Sequence, residues 1–262
     1  MIPEAFIEEW KANAPWQTLA MIEQDMVISR ALIELYNQPK ISDALVFRGG
    51  TALNKLYINP PSRYSEDIDL VQIKPEPIGK TIDVIRSVID SWLGKPSRKL
   101  TERSAKLVYK FEAVDRTTAK LKIEINTTEH FYVQKPKTVN FSMDSEWFSG
   151  TTQILTYELE ELIATKLRAL YQRRKGRDLF DLWLVLKQNL IDVNKMISVF
   201  KKYCTHNNQI ITRDLFEQNL PLMRNHRDFA VDIKPLLTQE VHWNADEAFE
   251  LINEKIISKL RD

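Results

Sequence analysis

The chain has 262 residues, 44% of them apolar, and a formal net charge of +1. The length suits one large or two small domains with an ordinary core, and the near-zero charge excludes a global field that would draw the chain onto nucleic acid or membrane. A single cysteine, Cys204, excludes an intrachain disulfide and a zinc site built from several cysteines.

The N-terminal MIPEAFIEEWKANAPW carries acidic residues and no apolar stretch of signal-peptide length. No run approaches a transmembrane span, so a cytoplasmic protein with no membrane partner is expected. Residues 18–37 read as a helix with Ile22, Met26 and Ile33 on one side. Residues 44–48 read as a short buried strand ending at Gly49-Gly50, and Thr51 to Tyr57 as two helical turns. Free backbone N–H groups at such a glycine-led helix start can face an anion, and Thr51 can offer its hydroxyl to a phosphate or cap the helix. Asn59-Pro60-Pro61-Ser62 breaks the chain. Arg63 and Ser65 follow in a polar loop, as candidate phosphate contacts or as turn residues. The strand 67–73 opens with Asp67-Ile68-Asp69. Residues two apart in a strand share a face, so the two carboxylates stand with Cα atoms ~6–7 Å apart. Such a pair is best tolerated around a divalent cation, and Mg²⁺ typically takes one or two carboxylates plus substrate phosphates. The glycines do not have Walker A spacing, and no G-x-G-x-x-G occurs.

Ile78 to Leu93 read as a helix, and 106–114 and 119–127 as the two strands of a hairpin. In the second strand Leu121, Ile123 and Ile125 alternate with Lys122, Glu124 and Asn126, which leaves Glu124 on the polar face, either as an ordinary exposed glutamate or as a third acidic ligand. A composition shift at 135–155 suggests a soft boundary: residues 1–150 with the N-terminal helix and a small mixed sheet, and residues 151–262 as a helical domain. In the helix 156–174, Leu159, Ile163, Lys166 and Leu170 fall on one face, so Lys166 interrupts an apolar stripe. Snorkelling, an ion pair, or a contact with a triphosphate would each explain it. Asp178 and Asp181 follow Gly176 at i, i+3. Asp178 can serve as an N-cap, and Asp181 can pair with Arg177 or Lys166. Arg173-Arg174-Lys175-Gly176-Arg177 is the densest basic run, and His130, His206, His226 and His242 are scattered without ligand spacing.

The segment from Arg48 to Leu70, with Gly49-Gly50 ahead of an Asp67-Ile68-Asp69 strand, resembles the signature of the DNA polymerase β-like nucleotidyltransferases. More narrowly, GGTALNKLY, RYSEDIDL and KLRALYQRRKGRDLFDL are similar in type and order to one of its branches, the AbiEii/AbiGii-type toxin branch of abortive-infection toxin–antitoxin pairs. The resemblance spans roughly residues 20–190, with a longer interval between Gly50 and Asp67 than is usual in the superfamily. It implies an α+β fold, a polymerase β-like nucleotidyltransferase domain plus a C-terminal helical domain. It also implies transfer of a nucleoside monophosphate from an NTP to an acceptor hydroxyl, with pyrophosphate release. Asp67, Asp69 and Glu124 would be the metal ligands for Mg²⁺, or alternatively Mn²⁺. With Lys166 they would form the catalytic set. Gly49, Gly50, Thr51, Arg63, Ser65, Lys166, Asp178 and Asp181 would contact the nucleotide. The implied acceptor is RNA, a tRNA end above all, in phage defence, and the implied partner is a cognate antitoxin or regulator. Two other readings stay open on the residues alone: a glycosyltransferase that uses Asp-x-Asp to hold Mn²⁺ and a nucleotide sugar, and a non-catalytic partner-binding protein.

Overall fold

The computed structural model describes residues 2–173, 175–224, 229 and 232–260. Arg174 of the basic run and His226 lie outside them. The chain divides into two compact units, residues 1–132 with 136–157, and residues 133–135 with 158–262.

The first unit opens with helices α1 (Glu4–Trp10), α2 (Leu19–Tyr36) and α3 (Pro39–Ser42). Strand β1 (Leu45–Arg48), helix α4 (Gly49–Leu56), strand β2 (Asp67–Gln72) and helix α5 (Gly79–Leu93) follow. Five more strands complete it: β3 (Ser97–Leu100), β4 (Ser104–Glu112), β5 (Thr118–Asn126), β6 (Lys137–Asp144) and β7 (Ser149–Thr156). They form one seven-stranded sheet in the order β3-β4-β5-β2-β1-β7-β6. The pairs β2–β5 and β1–β7 are parallel and the others antiparallel. This is the mixed-sheet α+β architecture expected from the sequence, and the hairpin expected at 106–127 is β4–β5.

Alternation decides what faces what. Leu107, Tyr109, Leu121, Ile123, Ile125, Ile68 and Leu70 are buried, and the register places them on one side of β4, β5 and β2. Helices α2 and α5 pack against these strands, and the Tyr109 hydroxyl donates to Asp90 of α5 at 2.9 Å. Each fully buried aliphatic side chain here contributes roughly 1.5–3 kcal/mol relative to exposure. Thr18 caps α2 by accepting from the Met21 N–H at 3.2 Å. The helix is buried on nearly every side, and its inward polar groups are all engaged. Glu23 accepts from the N–H groups of Ile2 and Val114, while Asp25 accepts from Trp10 Nε1 and Lys55. Such satisfied groups fasten the helix where unpaired ones would be costly.

The second unit contains α6 (Leu159–Arg173), α7 (Gly176–Lys187), α8 (Val193–His206), α9 (Arg213–Arg224) and α10 (Ala245–Lys255). Helix α6 packs on α7 and α8, and α7 on α10. Buried Glu161 accepts from the N–H groups of Val133 and Gln134 and from the Tyr203 hydroxyl, which ties the short segment 133–135 to α6 and α8. Among the described residues no helix is long and apolar enough to cross a membrane.

Candidate active site

The site is built at the turn from β1 into α4. Gly49 sits at φ +85°, a left-handed conformation that favours glycine. A Cβ there would collide with the Asp69 carboxylate, and a Cβ on Gly50 would meet the Arg63 guanidinium and lie 3.1 Å from Ser65 Oγ. Both glycines thus make room for side chains of the loop and strand that follow. The Thr51 hydroxyl donates to the Asp67 carbonyl oxygen at 2.5 Å and stands 2.9 Å from Ser65 Oγ. It therefore fastens the first turn of α4 to the start of β2. Gly49, Gly50, Thr51, Arg63, Ser65, Asp67 and Asp69 are brought together by these contacts. Gly49→Ala is expected to shift Asp69 and to lose activity, whereas Gly94→Ala, also at positive φ (73°) but in open space, should show only left-handed strain of about 1–3 kcal/mol. Melting and activity of both variants, side by side, separate strain from displacement.

The register supplies the third carboxylate. Asp69 is paired with Arg48 on one side and with Glu124 on the other, and Asp67 with Lys122. Residues opposed across a ladder share a face, on strands about 4.7–4.9 Å apart. Asp67, Asp69 and Glu124 therefore line one face of β2 and β5. Lysines surround them. Lys122 Nζ lies 2.9 Å from Asp67 Oδ2 and 3.2 Å from Glu124 Oε2, and Lys106 Nζ lies 2.9 Å from Glu124 Oε1. Burial pushes the Glu124 carboxyl up, but Lys106 and Lys122 outweigh it and hold the group below the usual carboxylate range. Burial likewise lowers Lys122, and Asp67 and Glu124 outweigh that and raise it. Arg48 donates to Glu129 at 2.6 Å. Burial disfavours the charged Arg48 guanidinium, but Glu129, Tyr157 and Asp69 more than offset this and raise its pKa.

These cations were not identified from the sequence. The alternation that puts Glu124 on the polar face also puts Lys122 there, two residues earlier, and that was the available signal. Lys106 and Arg48 became visible only through register.

Among the described residues no three His, Cys, Asp or Glu side chains form a group that could hold a metal ion, so the three-carboxylate cage expected of Asp67, Asp69 and Glu124 is not assembled. A cage is not what Mg²⁺ requires, since it keeps several waters and is bound through one or two carboxylates with substrate phosphates. The donors present suit such a hard cation. Asp67 and Asp69 offer carboxylate oxygens from one strand face, and Asp67 Oδ1 is buried without a hydrogen-bond partner. A buried, unpartnered carboxylate oxygen is costly unless something positive meets it.

A cavity of about 480 Å³ adjoins Thr51, Arg63 and Ser65, walled in part by Trp10, Trp16 and Phe141. That is within the size range of small-molecule sites.

Lys166, Asp178 and Asp181 belong to the second unit and form a cluster of their own. Lys166 is buried, with Nζ 2.8 Å from Asp181 Oδ2 and 3.3 Å from Asp178 Oδ1. Arg173 grips Asp178 with two bonds of 2.7 and 2.9 Å. Burial raises the Asp178 carboxyl, but Lys166 and Arg173 outweigh it and hold the group below the usual range. Asp178 is not the N-cap of its helix. The chain enters α7 at Gly176 after Lys175, so Asp178 stands in the first turn. His130 donates through Nδ1–H to the Gln72 carbonyl oxygen at 2.9 Å, a structural contact.

The family model described as nucleotidyl transferase AbiEii toxin, type IV toxin–antitoxin system, matches residues 30–251. No curated protein sequence gives a match. Among solved structures, the chain is similar to MenT4, a nucleotidyltransferase toxin from Mycobacterium tuberculosis H37Rv, at 15% identity and a TM-score of 0.65, covering 99% of this chain and 91% of that one. It is also similar to JHP933 from Helicobacter pylori, at 20% identity and a TM-score of 0.51, covering 88% of each chain. At these identities the structural likeness speaks for the fold.

Proposed function

Since the chain belongs to the AbiEii nucleotidyl transferase toxin family of type IV toxin–antitoxin systems, we propose that it transfers a nucleoside monophosphate from an NTP to an acceptor hydroxyl on RNA, a tRNA end above all, at Asp67, Asp69 and Glu124. The observation that carries this reading is the register Asp69 opposite Glu124, beside the Gly49-Gly50 turn. Family membership favours nucleotidyl transfer over use of a nucleotide sugar. The setting proposed is the cytoplasm, with a cognate antitoxin as regulator.

A divalent cation held by Asp67 and Asp69, with Mg²⁺ the first choice, would neutralise the reacting phosphate and polarise its phosphorus. Helix α4 starts at Gly49, so the backbone N–H groups at Gly49 and Gly50 would be offered to the phosphate chain as at other helix N-termini. The acceptor oxygen bonds to the α-phosphorus as the bond to the bridging oxygen breaks, and pyrophosphate leaves. Glu124, held below the usual carboxylate range by two lysines, stays ionised at neutral pH. It is suited to orienting the attacking hydroxyl and is a weak base for its proton. Lys122 bridges Asp67 and Glu124, keeping the two anions compatible until substrate binds. The cavity beside Thr51, Arg63 and Ser65 would take the nucleoside.

Incubation of the protein with each labelled NTP, Mg²⁺ and whole-cell extract, followed by separation of RNA from protein, tests this directly. Label in RNA with one NTP is the expected result, and label confined to protein or small molecules rejects the RNA acceptor. Glu124→Gln should remove most transfer while weakening NTP binding less than changes at the aspartates do. Turnover equal to wild type would return Glu124 to the role of an ordinary surface residue paired with Lys106.

A further inference from the structure

The sheet face that carries the three carboxylates continues outward across β5, β4 and β3, and lysines run along it. Lys120 and Lys122 alternate onto the Glu124 side of β5. In register, Lys106 stands opposite Glu124, Lys110 opposite Lys120, and Lys99 opposite Lys106. Five lysines therefore share one face with Asp67, Asp69 and Glu124. Lys106 and Lys122 are engaged by carboxylates. Lys99, Lys110 and Lys120 are exposed, and among the described residues their ammonium groups meet no carboxylate. The remaining acidic residue of these β4–β5 rows, Glu112, pairs with Arg116 at 2.7 Å.

Like charges directly opposed destabilise a ladder, and Lys99–Lys106 and Lys110–Lys120 are two such pairs. Lysine on an edge strand guards against edge-to-edge association, which accounts for Lys99 on β3. It does not account for Lys106, which β3 and β5 flank on both sides. Lys110 and Lys120 stand past the last β3 and β2 pairs, where β4 and β5 have only each other, and edge protection does not call for the two lysines to be opposed. With a net charge of only +1 over the whole chain, the concentration is local. The strand positions on this face hold no aromatic residue: beside the lysines stand Ser97, Val108 and Thr118. A protein partner would need buried anchors, enriched in Trp, Tyr and Arg. A phosphate backbone needs only positioned cations.

We propose that this face of β3, β4 and β5 is the track for the phosphate backbone of the acceptor RNA, with Lys99 at one point of the track, Lys110 and Lys120 together at another, and the acceptor end delivered toward Asp69 and Glu124. The proposal rests on the RNA-directed transfer argued above. Its test is the triple variant Lys99→Ala/Lys110→Ala/Lys120→Ala in the full chain, all three residues lying outside the catalytic set. Binding of fluorescent tRNA is followed from about 50 to 200 mM salt, where phosphate contacts set the slope of log K against log salt at about −0.7 to −0.9 per contact. The variant should bind RNA more weakly, with a slope smaller by about 2, and should bind NTP as the wild type does. Equal RNA affinity and slope in variant and wild type would overturn the track while leaving transfer to RNA intact. A wild type that labels protein in place of RNA would overturn the underlying reading, and the track with it.

Discussion

Asp69→Asn is expected to cut nucleotidyl transfer at least about 100-fold, the cost typical of removing one electrostatic element at the reacting centre, while the folded state melts near the wild-type temperature. The substitution keeps the shape of the side chain beside Gly49, where there is no room for a Cβ, so the turn into α4 should survive. What it removes is the negative charge between Arg48 and Glu124. Asp67→Asn should be as damaging, for a second reason as well: Lys122 loses one of its two carboxylates, and its free charge then stands where the cation would bind. The expected signature is loss of Mg²⁺-dependent NTP affinity together with loss of turnover. Near-normal turnover of either purified variant in Mg²⁺ would remove the aspartates from the mechanism.

The parts of the site that were legible in the sequence are those whose geometry is local. Gly49-Gly50 and the pair Asp67, Asp69 declare a turn and a shared strand face within a few residues. The face of Glu124 was readable from alternation, but its placement opposite Asp69 depends on a parallel β2–β5 pairing that no local pattern encodes. The same holds for the counter-charges: Lys106 reaches Glu124 only because β4 folds back in one particular register. The composition shift that suggests a soft boundary at 135–155 coincides with the hairpin β6–β7. Its strands, KTVNFSMD and SGTTQILT, are rich in Thr, Ser and Asn, and β6 is an edge strand with alternate residues exposed, so the apolar period is faint. The inward polar residues of α2 were equally hidden, because Glu23 finds a partner 91 positions away, at Val114.

Lys166 was conspicuous in sequence for standing in an apolar stripe, and the structure supplies its partners within the same unit. Lys166→Ala is therefore expected to lower stability by up to about 3–5 kcal/mol, the cost typical of removing one partner of a buried ion pair. Arg173 still neutralises Asp178 in the variant, but Asp181, buried and 2.8 Å from the missing ammonium, loses the partner the cluster gives it. The pH dependence gives a second readout. In the wild type the folded-state pKa of Asp178 is depressed, so its contribution is present above the ordinary aspartate value of about 3.9 and is lost as pH falls through the lower folded value. Removing Lys166 weakens that depression, so acid unfolding of the variant should begin at a higher pH than in the wild type. Lys166→Arg, which keeps the charge, should restore part of the stability. Nucleotide titration of the same proteins separates the structural role from a contact with the triphosphate. Unchanged melting and unchanged acid unfolding, with NTP affinity lost, would show that the ammonium serves the nucleotide and that the two aspartates do not depend on it.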